Sequence, residues 1–396
     1  MKTNAIFILL DIIGLIILYK WVKYQVLAFN TYKNKSNFFV FNRFKHLLIT
    51  IFFIFIPLIT INFTDIESYS FFPKFGNEIK TKTVYAVIVS FLISFMWLYY
   101  IYKLDIFNKE KKYHILIVFV LASVLTSLVD YPYEFIHKLG FIYSNEPIDS
   151  FLYCVFGIGL IEETIKLIPL LLILFFSKAI DEPFDFILYA STSALGFAFI
   201  ENSMYLYNYG LEIINARALY ATVAHMTFSS LIGYGLFLIK FKQSKINSFL
   251  VFSFFFFLAM FSHGFYDFWL INPVVNQYSW LTTIFLLISI HVWFSIKNNT
   301  INSSNFYSEK VKLNNDKLKI FLNIGLLSIF MFSYIFVAFS DNSTKANVFF
   351  KETIIIYGFI IFYIIATLTQ FNLVKGLIKP FKFTLKFLFP IMRKNN

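Results

Sequence analysis

Eleven stretches of this 396-residue chain are mostly apolar and long enough to cross a bilayer, and that repetition leaves little choice of architecture. They fall near 5–22, 46–62, 84–102, 113–130, 151–176, 184–206, 216–239, 247–270, 279–296, 318–339 and 348–370. A segment surrounded by lipid must satisfy its own backbone hydrogen bonds, so each is read as a helix. Composition agrees: 59% of the residues are hydrophobic and 14% charged, and the mean hydropathy is +0.70. Soluble domains carry about 25% charged residues, so a single soluble fold is excluded. The first stretch lacks a small-residue cleavage site and contains Asp11, which suits a retained span better than a cleaved signal peptide. The expected fold class is all-α, a polytopic transmembrane helical bundle of about 11 spans.

The net charge of +12 raises the question of nucleic acid until the charges are placed. Lys23, Lys33, Lys35, Arg43 and Lys45 follow the first span, and Lys103, Lys109, Lys111 and Lys112 the third. Lys240, Lys242 and Lys245 follow the seventh; Lys297, Lys310, Lys312 and Lys317 follow the ninth. The loops between are acidic, mixed or uncharged. Basic loops stay cytoplasmic, so the N-terminus is expected outside and the C-terminus inside. Topology then accounts for the basic charge, and nucleic acid drops out as a partner, leaving membrane lipids. A basic tail at 373–396 alternates Lys with Phe and Leu; it suits either the anionic inner leaflet or a plain orienting terminus. The stretch "NNTINSSNFYSEK" reads as a flexible cytoplasmic linker. The organisation expected is four N-terminal spans (1–130), a polar-bearing membrane core (150–275), three C-terminal spans (279–370) and the tail. The single cysteine, Cys154, rules out an intrachain disulfide framework and a cysteine-rich zinc site.

Spans five to eight hold nearly all the ionisable groups inside the apolar runs. Span five contains Glu162, Glu163 and Lys166 within "GLIEETIK", where a charge at the bilayer centre costs about 2.5–3.5 kcal/mol even on a lenient scale. At roughly 100° per residue, Lys166 falls between the two glutamates on one helix face, beside Gly159. A self-neutralising Glu162–Lys166 pair at i,i+4 is the plainer reading, but it gives Glu163 no partner and Gly159 no purpose. In span six, Ser191, Ser193, Ala194 and Gly196 allow close helix approach, and Glu201 and Asn202 follow. Span seven has His225 among Thr222, Thr227, Ser229 and Ser230. Span eight has His263 and Asp267 at i,i+4, a spacing that lets a carboxylate fix an imidazole tautomer. The remaining His291 is read as interfacial. With a rise of about 1.5 Å per residue, Glu201, His225 and His263 lie roughly 8–14 Å below the outer surface, and the Glu162–Glu163 pair slightly deeper. Four antiparallel helices thus bring their polar groups to one level.

Carboxylates and imidazoles at one depth suit hydrolysis. A glutamate can deprotonate water, or histidines and a glutamate can hold Zn²⁺. Without an HExxH motif, any metal site must be assembled from several helices. A proton-coupled transporter is the rival class, because Glu and His chains also relay protons, but the inverted repeats usual in transporters are not seen.

The motifs "EETIK", "FAFIEN", the His225 span and "HGFYD", in order on four consecutive spans, resemble those of the PrsW intramembrane proteases, relatives of the CAAX prenyl endopeptidase and bacteriocin-processing membrane proteins. The resemblance covers about residues 150–275. It implies a helical membrane endopeptidase of the bacterial cytoplasmic membrane that cuts single-span membrane proteins near the outer face, an anti-sigma factor being one such substrate. It further implies Glu162 and Glu163 as the water-activating pair, with Glu162 favoured, and Glu201 as a further acid. His225 and His263 become oxyanion partners or, with Glu201, ligands of a metal such as zinc; Asp267 stands where relatives carry Asp or Asn. A metal-free glutamate mechanism stays open at this point. A catalytically silent scaffold or immunity-type protein is the third reading, although no motif residue is missing.

Overall fold

The computed structural model describes residues 81–378, apart from 243–246, 312–313 and 341. The predicted spans at 5–22 and 46–62, and the tail beyond 378, lie outside the described residues. Among the described residues all regular structure is helical. The helices are α1 (Thr81–Leu104), α2 (Lys112–Thr126), α3 (Asp130–Lys138), α4 (Pro147–Leu152), α5 (Leu160–Phe176), α6 (Pro183–Tyr209), α7 (Thr222–Phe241), α8 (Ser248–Ile271), α9 (Trp280–Asn302), α10 (Asn315–Ser340), α11 (Ser343–Ile355) and α12 (Gly358–Leu368). Among the described residues six helical stretches are long and apolar enough to cross a membrane, or up to eight if each of two bent pairs counts as one span. The 50° bend between α11 and α12 breaks the stretch that the sequence reads as one span at 348–370, whereas the 46° bend between α2 and α3 falls at the end of the span read at 113–130, so α3 is a helix where a loop is expected. α5 carries three charges and is not among the six, yet it sits inside the same bundle.

α6 is the central helix. Nearly all of its first sixteen residues are buried, because α1, α2 and α7 enclose it on successive sides. Its sequence explains the start and stop: Pro183 occupies the first turn, where no N–H is needed, and Gly210 ends the helix at φ +91°. Small residues let the neighbours close in, as expected. A Cβ on Gly196 would lie 2.3 Å from the Phe119 carbonyl oxygen of α2.

Two of the site-bearing helices begin with π-helical winding, at Tyr153–Gly159 before α5 and Arg217–Ala221 before α7. Such insertions rotate the residues that follow, and they recur at functional sites. Gly159 now has its purpose. A Cβ there would lie 2.4 Å from the Met260 carbonyl oxygen, and one on Gly264 would lie 2.5 Å from the Val155 Cα. α8 therefore crosses the π turn backbone to backbone, which brings His263 against α5.

Two expectations are corrected. Asn298, Asn299, Thr300 and Asn302 belong to the buried end of α9, so this part of "NNTINSSNFYSEK" is no flexible linker. The Asn302 amide donates to the carbonyls of Asn372 (3.0 Å) and Leu377 (3.2 Å), while its oxygen accepts from Val374 N–H at 2.9 Å. Lys297, counted among the loop lysines, is likewise buried; its Nζ donates to the carbonyls of Leu368 (3.0 Å) and Gln370 (2.7 Å) at the end of α12. Orphan carbonyls at a helix end need such donors.

Candidate active site

Lys166, 1% exposed, stands at the centre of the polar residues that the sequence placed at one depth. Its position three and four residues after the two glutamates puts all three on one face of α5. Lys166 Nζ lies 2.9 Å from Glu163 Oε1, 3.3 Å from Glu162 Oε2, 2.9 Å from His225 Nδ1 and 3.4 Å from His263 Nδ1. The ammonium also sits 4.3 Å from the centre of the Phe197 ring, a cation–π arrangement. Ser193 Oγ donates to the Lys166 carbonyl at 2.6 Å and ties α6 to this turn of α5. The plain self-neutralising pair is thus only part of the arrangement, because one lysine serves both glutamates and faces two histidines.

The glutamates differ. Glu163 is fully buried and saturated: Oε1 takes Lys166 and His263 Nδ1 (3.0 Å), and Oε2 accepts from Ser229 Oγ at 2.7 Å. Glu162 is nearer the margin. Its Oε1 accepts the Tyr133 hydroxyl at 2.9 Å, and its Oε2 lies 3.4 Å from His263 Nε2. Tyr133 arrives on α3, the segment bent away from α2.

His225 is held from both sides. A lysine ammonium donates to Nδ1, which leaves the proton on Nε2 to be donated to Glu201 Oε2 at 2.8 Å. Glu201 Oε2 also accepts from Arg217 Nη2, and Arg217 Nε donates to Asn202 Oδ1 at 2.5 Å. Asn202 in turn donates to Thr222 Oγ1 at 2.9 Å, closing the link to α7. The His225 and His263 rings meet edge to face, 5.1 Å between centres. Asp267 lies 3.4 Å from His263 Nε2, a long separation for a hydrogen bond, and shares that nitrogen with Glu162.

All six residues singled out in the sequence come together here. Sequence reasoning missed Tyr133 and Arg217. Arg217 had a signal, an isolated arginine at the start of an apolar run in "NARALY"; Tyr133 had none beyond the neighbouring Pro132. Two fixed cations, Lys166 and Arg217, face four carboxyl groups, Glu162, Glu163, Glu201 and Asp267, and the imidazoles bridge between them. A possible ligand set also emerges. Glu162, His225 and His263 each offer one atom within 4.8 Å of the others, whereas Glu201, the carboxylate expected in that role, is held by Arg217.

A family model described as PrsW family intramembrane metalloprotease matches residues 110–294. Protease PrsW of Oceanobacillus iheyensis is 30% identical over 189 residues, 48% of this chain and 84% of that protein. Protease PrsW of Geobacillus kaustophilus is 30% identical over 172 residues, 43% and 73% of the two chains. Protease PrsW of Shouchella clausii is 28% identical over 169 residues, covering 43% and 75%. No solved structure matches.

Proposed function

Since the chain belongs to the PrsW family of intramembrane metalloproteases, we propose that it hydrolyses peptide bonds of single-span membrane proteins at the cluster built around Lys166, with Glu162, His225 and His263 as the residues that would hold a metal. The observation that carries this reading is the convergence of those three buried groups, from three helices, within 4.8 Å. Two imidazoles and one carboxylate form a donor set used by catalytic zinc. Each histidine also has a carboxylate on one ring nitrogen, Glu201 on Nε2 of His225 and Glu163 on Nδ1 of His263, as metal-bound imidazoles usually do; a metal would take the other nitrogen, which at His225 means displacing Lys166 from Nδ1. When bound, such a metal lowers the pKa of water and polarises the carbonyl to be cleaved.

The remaining residues orient and balance. Tyr133 fixes Glu162 by donating to Oε1, Lys166 offsets the glutamate charge, and Arg217 holds Glu201 against His225. Glu163, closed off by three partners, anchors Lys166 and His263 and has no edge left for water.

Purified protein should therefore hold about one Zn²⁺ or similar ion and cleave a candidate substrate such as an anti-sigma factor in liposomes. Glu162→Gln should lose the ion and at least about 10²–10⁴-fold of the cleavage rate, while Glu201→Gln keeps the ion. An ion retained by Glu162→Gln would return that residue to the role of proton acceptor and Glu201 to the ligand set. Full cleavage by metal-free protein would end the metal reading.

The bacterial relatives and the loop lysines support a place in the bacterial cytoplasmic membrane, with the Asn276 loop outside and the Glu309 loop inside. In a Cys154→Ser background, Asn276→Cys should react with an impermeant thiol reagent on intact cells, and Glu309→Cys only after permeabilisation. Labelling of the second in intact cells reverses the orientation.

A further inference from the structure

At the other end of α6, about 24 Å from Glu201 by helix rise, a second set of buried carboxylates has no part in the proteolytic site. Asp105 follows α1, Glu182 and Asp185 frame the start of α6, and all three are essentially without exposure. One oxygen from each lies within 4.8 Å of the other two. Local structure fixes their aim. Asp105 Oδ2 accepts the Glu110 N–H at 2.6 Å; Asp185 Oδ2 accepts the N–H groups of Asp181 (2.9 Å) and Glu182 (2.7 Å). Ser304 Oγ, just beyond α9, donates to Glu182 Oε2.

Each aspartate is therefore anchored by one oxygen to backbone amides, while the other, Oδ1 in both, is buried with no hydrogen-bond donor on it. Among the described residues no ion pair joins Asp105, Glu182 or Asp185 to a basic side chain. The lysine whose charge acts on Asp185, Lys240, donates to the Ile180 carbonyl at 2.6 Å and makes no ion pair with any of the three. Burying carboxylates unpaired is costly, and two orphaned oxygens aimed into an acidic cluster need a positive partner.

We propose that Asp105, Glu182 and Asp185 bind a hard divalent cation, Mg²⁺ or Ca²⁺, that joins the segment after α1, the start of α6 and the segment after α9. An all-oxygen, all-carboxylate set selects such ions over zinc or copper. A proton is the competing solution. Burial pushes the Asp105 carboxyl up to about 8, and a proton there can be shared with Glu182. One proton leaves the Asp185 oxygen orphaned, however, whereas one divalent ion serves all three groups.

The test uses the full chain in detergent, stripped with chelator and melted with and without MgCl₂ or CaCl₂. The wild-type midpoint should rise on the order of 5 °C at an ion concentration about 100 times Kd. Mn²⁺, followed by its paramagnetic resonance signal, should bind and be displaced by Mg²⁺ or Ca²⁺. Asp105→Asn keeps the acceptor for Glu110 N–H while removing a charge. It should melt no lower than wild type in chelator yet gain nothing from either ion; Glu182→Gln is the second variant, expected to gain nothing likewise. His263→Ala should keep the response, which separates this site from the proteolytic one. An equal rise in Asp105→Asn or Glu182→Gln would overturn the proposal. So would a wild-type midpoint that ignores both ions and simply falls as pH rises from about 4 to 8. That is the direction expected when a raised carboxyl pKa lets the folded state keep a proton the unfolded chain has released.

Discussion

At one end of α6, Glu162, Glu163, Glu201 and Asp267 are gathered around Lys166 and Arg217; at the other, among the described residues, Asp105, Glu182 and Asp185 form no ion pair with a basic side chain. The second set is fully buried, the first is buried at Glu162 and Glu163 and partly so at Glu201 and Asp267, and both are assembled from segments distant in sequence. The difference lies in who supplies the positive charge. In the first cluster the chain supplies it itself, Lys166 from i+3 and i+4 of the two glutamates' own helix and Arg217 from the turn before α7, so Glu162, Glu163 and Glu201 have basic partners as soon as the bundle forms. Among the described residues the second is hydrogen-bonded by backbone amides and one serine hydroxyl, which orient oxygens without neutralising them. Removing one partner from a buried pair typically costs about 3–5 kcal/mol, because the other charge is left behind. A cluster with its own cation is thus sensitive to losing it, and a cluster without one is sensitive to what the solution provides.

Replacing Lys166 by methionine makes the first cluster resemble the second. The methionine keeps most of the volume, so packing is a minor part of the change, while Glu162 and Glu163 lose their common partner. The expected loss is about 3–5 kcal/mol of stability, read as a sharply lower melting midpoint or poor accumulation, together with loss of cleavage. A Lys166→Met protein that melts like wild type would erase the distinction between the two ends of α6.

The sequence could be read this far because charge is rare in apolar runs. Glu162, Glu163, Glu201, His225, His263 and Asp267 announce themselves by their cost in lipid, and helix rise alone brings them to one level. Asp105, Glu182 and Asp185 lie at the ends of apolar runs, where carboxylates are ordinary, and the surrounding "KLDIFNKEKK" reads as a basic loop. Their burial is set by packing between segments that sequence periodicity does not order. The same reason explains "NNTIN", whose polar side chains imitate a solvated linker while capping carbonyls of a distant segment. Tyr133 was missed although Pro132 beside it, in the first turn of α3, marks the break: a proline shows where one helix gives way to the next, not the 46° angle that carries α3 over Glu162.

Tyr133 offers a finer probe, since it acts on the glutamate of the α5 pair that is not closed off. Tyr133→Phe removes a single hydroxyl that donates to Glu162 Oε1 and leaves the ring in place. A hydrogen bond to a charged group contributes roughly 1.5–3 kcal/mol. If that energy orients Glu162 in the reaction, kcat should fall about 10- to 100-fold with KM nearly unchanged and the melting midpoint close to wild type. A loss confined to stability would make Tyr133 a packing residue and nothing more.

The smallest effect is expected at Asp267, the residue whose i,i+4 spacing from His263 made it look like the orienting partner of that imidazole. The structure gives that role to Glu163, which lies 3.0 Å from Nδ1 and is itself fixed by Lys166 and Ser229. Asp267 stands on the other side, 3.4 Å from Nε2 and in competition with Glu162 for it, and it is the more exposed of the three carboxylates around that ring. A side chain so placed trims the charge near the reacting edge but does not set the tautomer. Asp267→Asn should then retain cleavage within about tenfold of wild type, equivalent to less than about 1.4 kcal/mol, with the metal content unchanged. A loss as large as that of Glu162→Gln would show that the Nε2 side of His263 governs the reaction and that Asp267 belongs among the reacting groups.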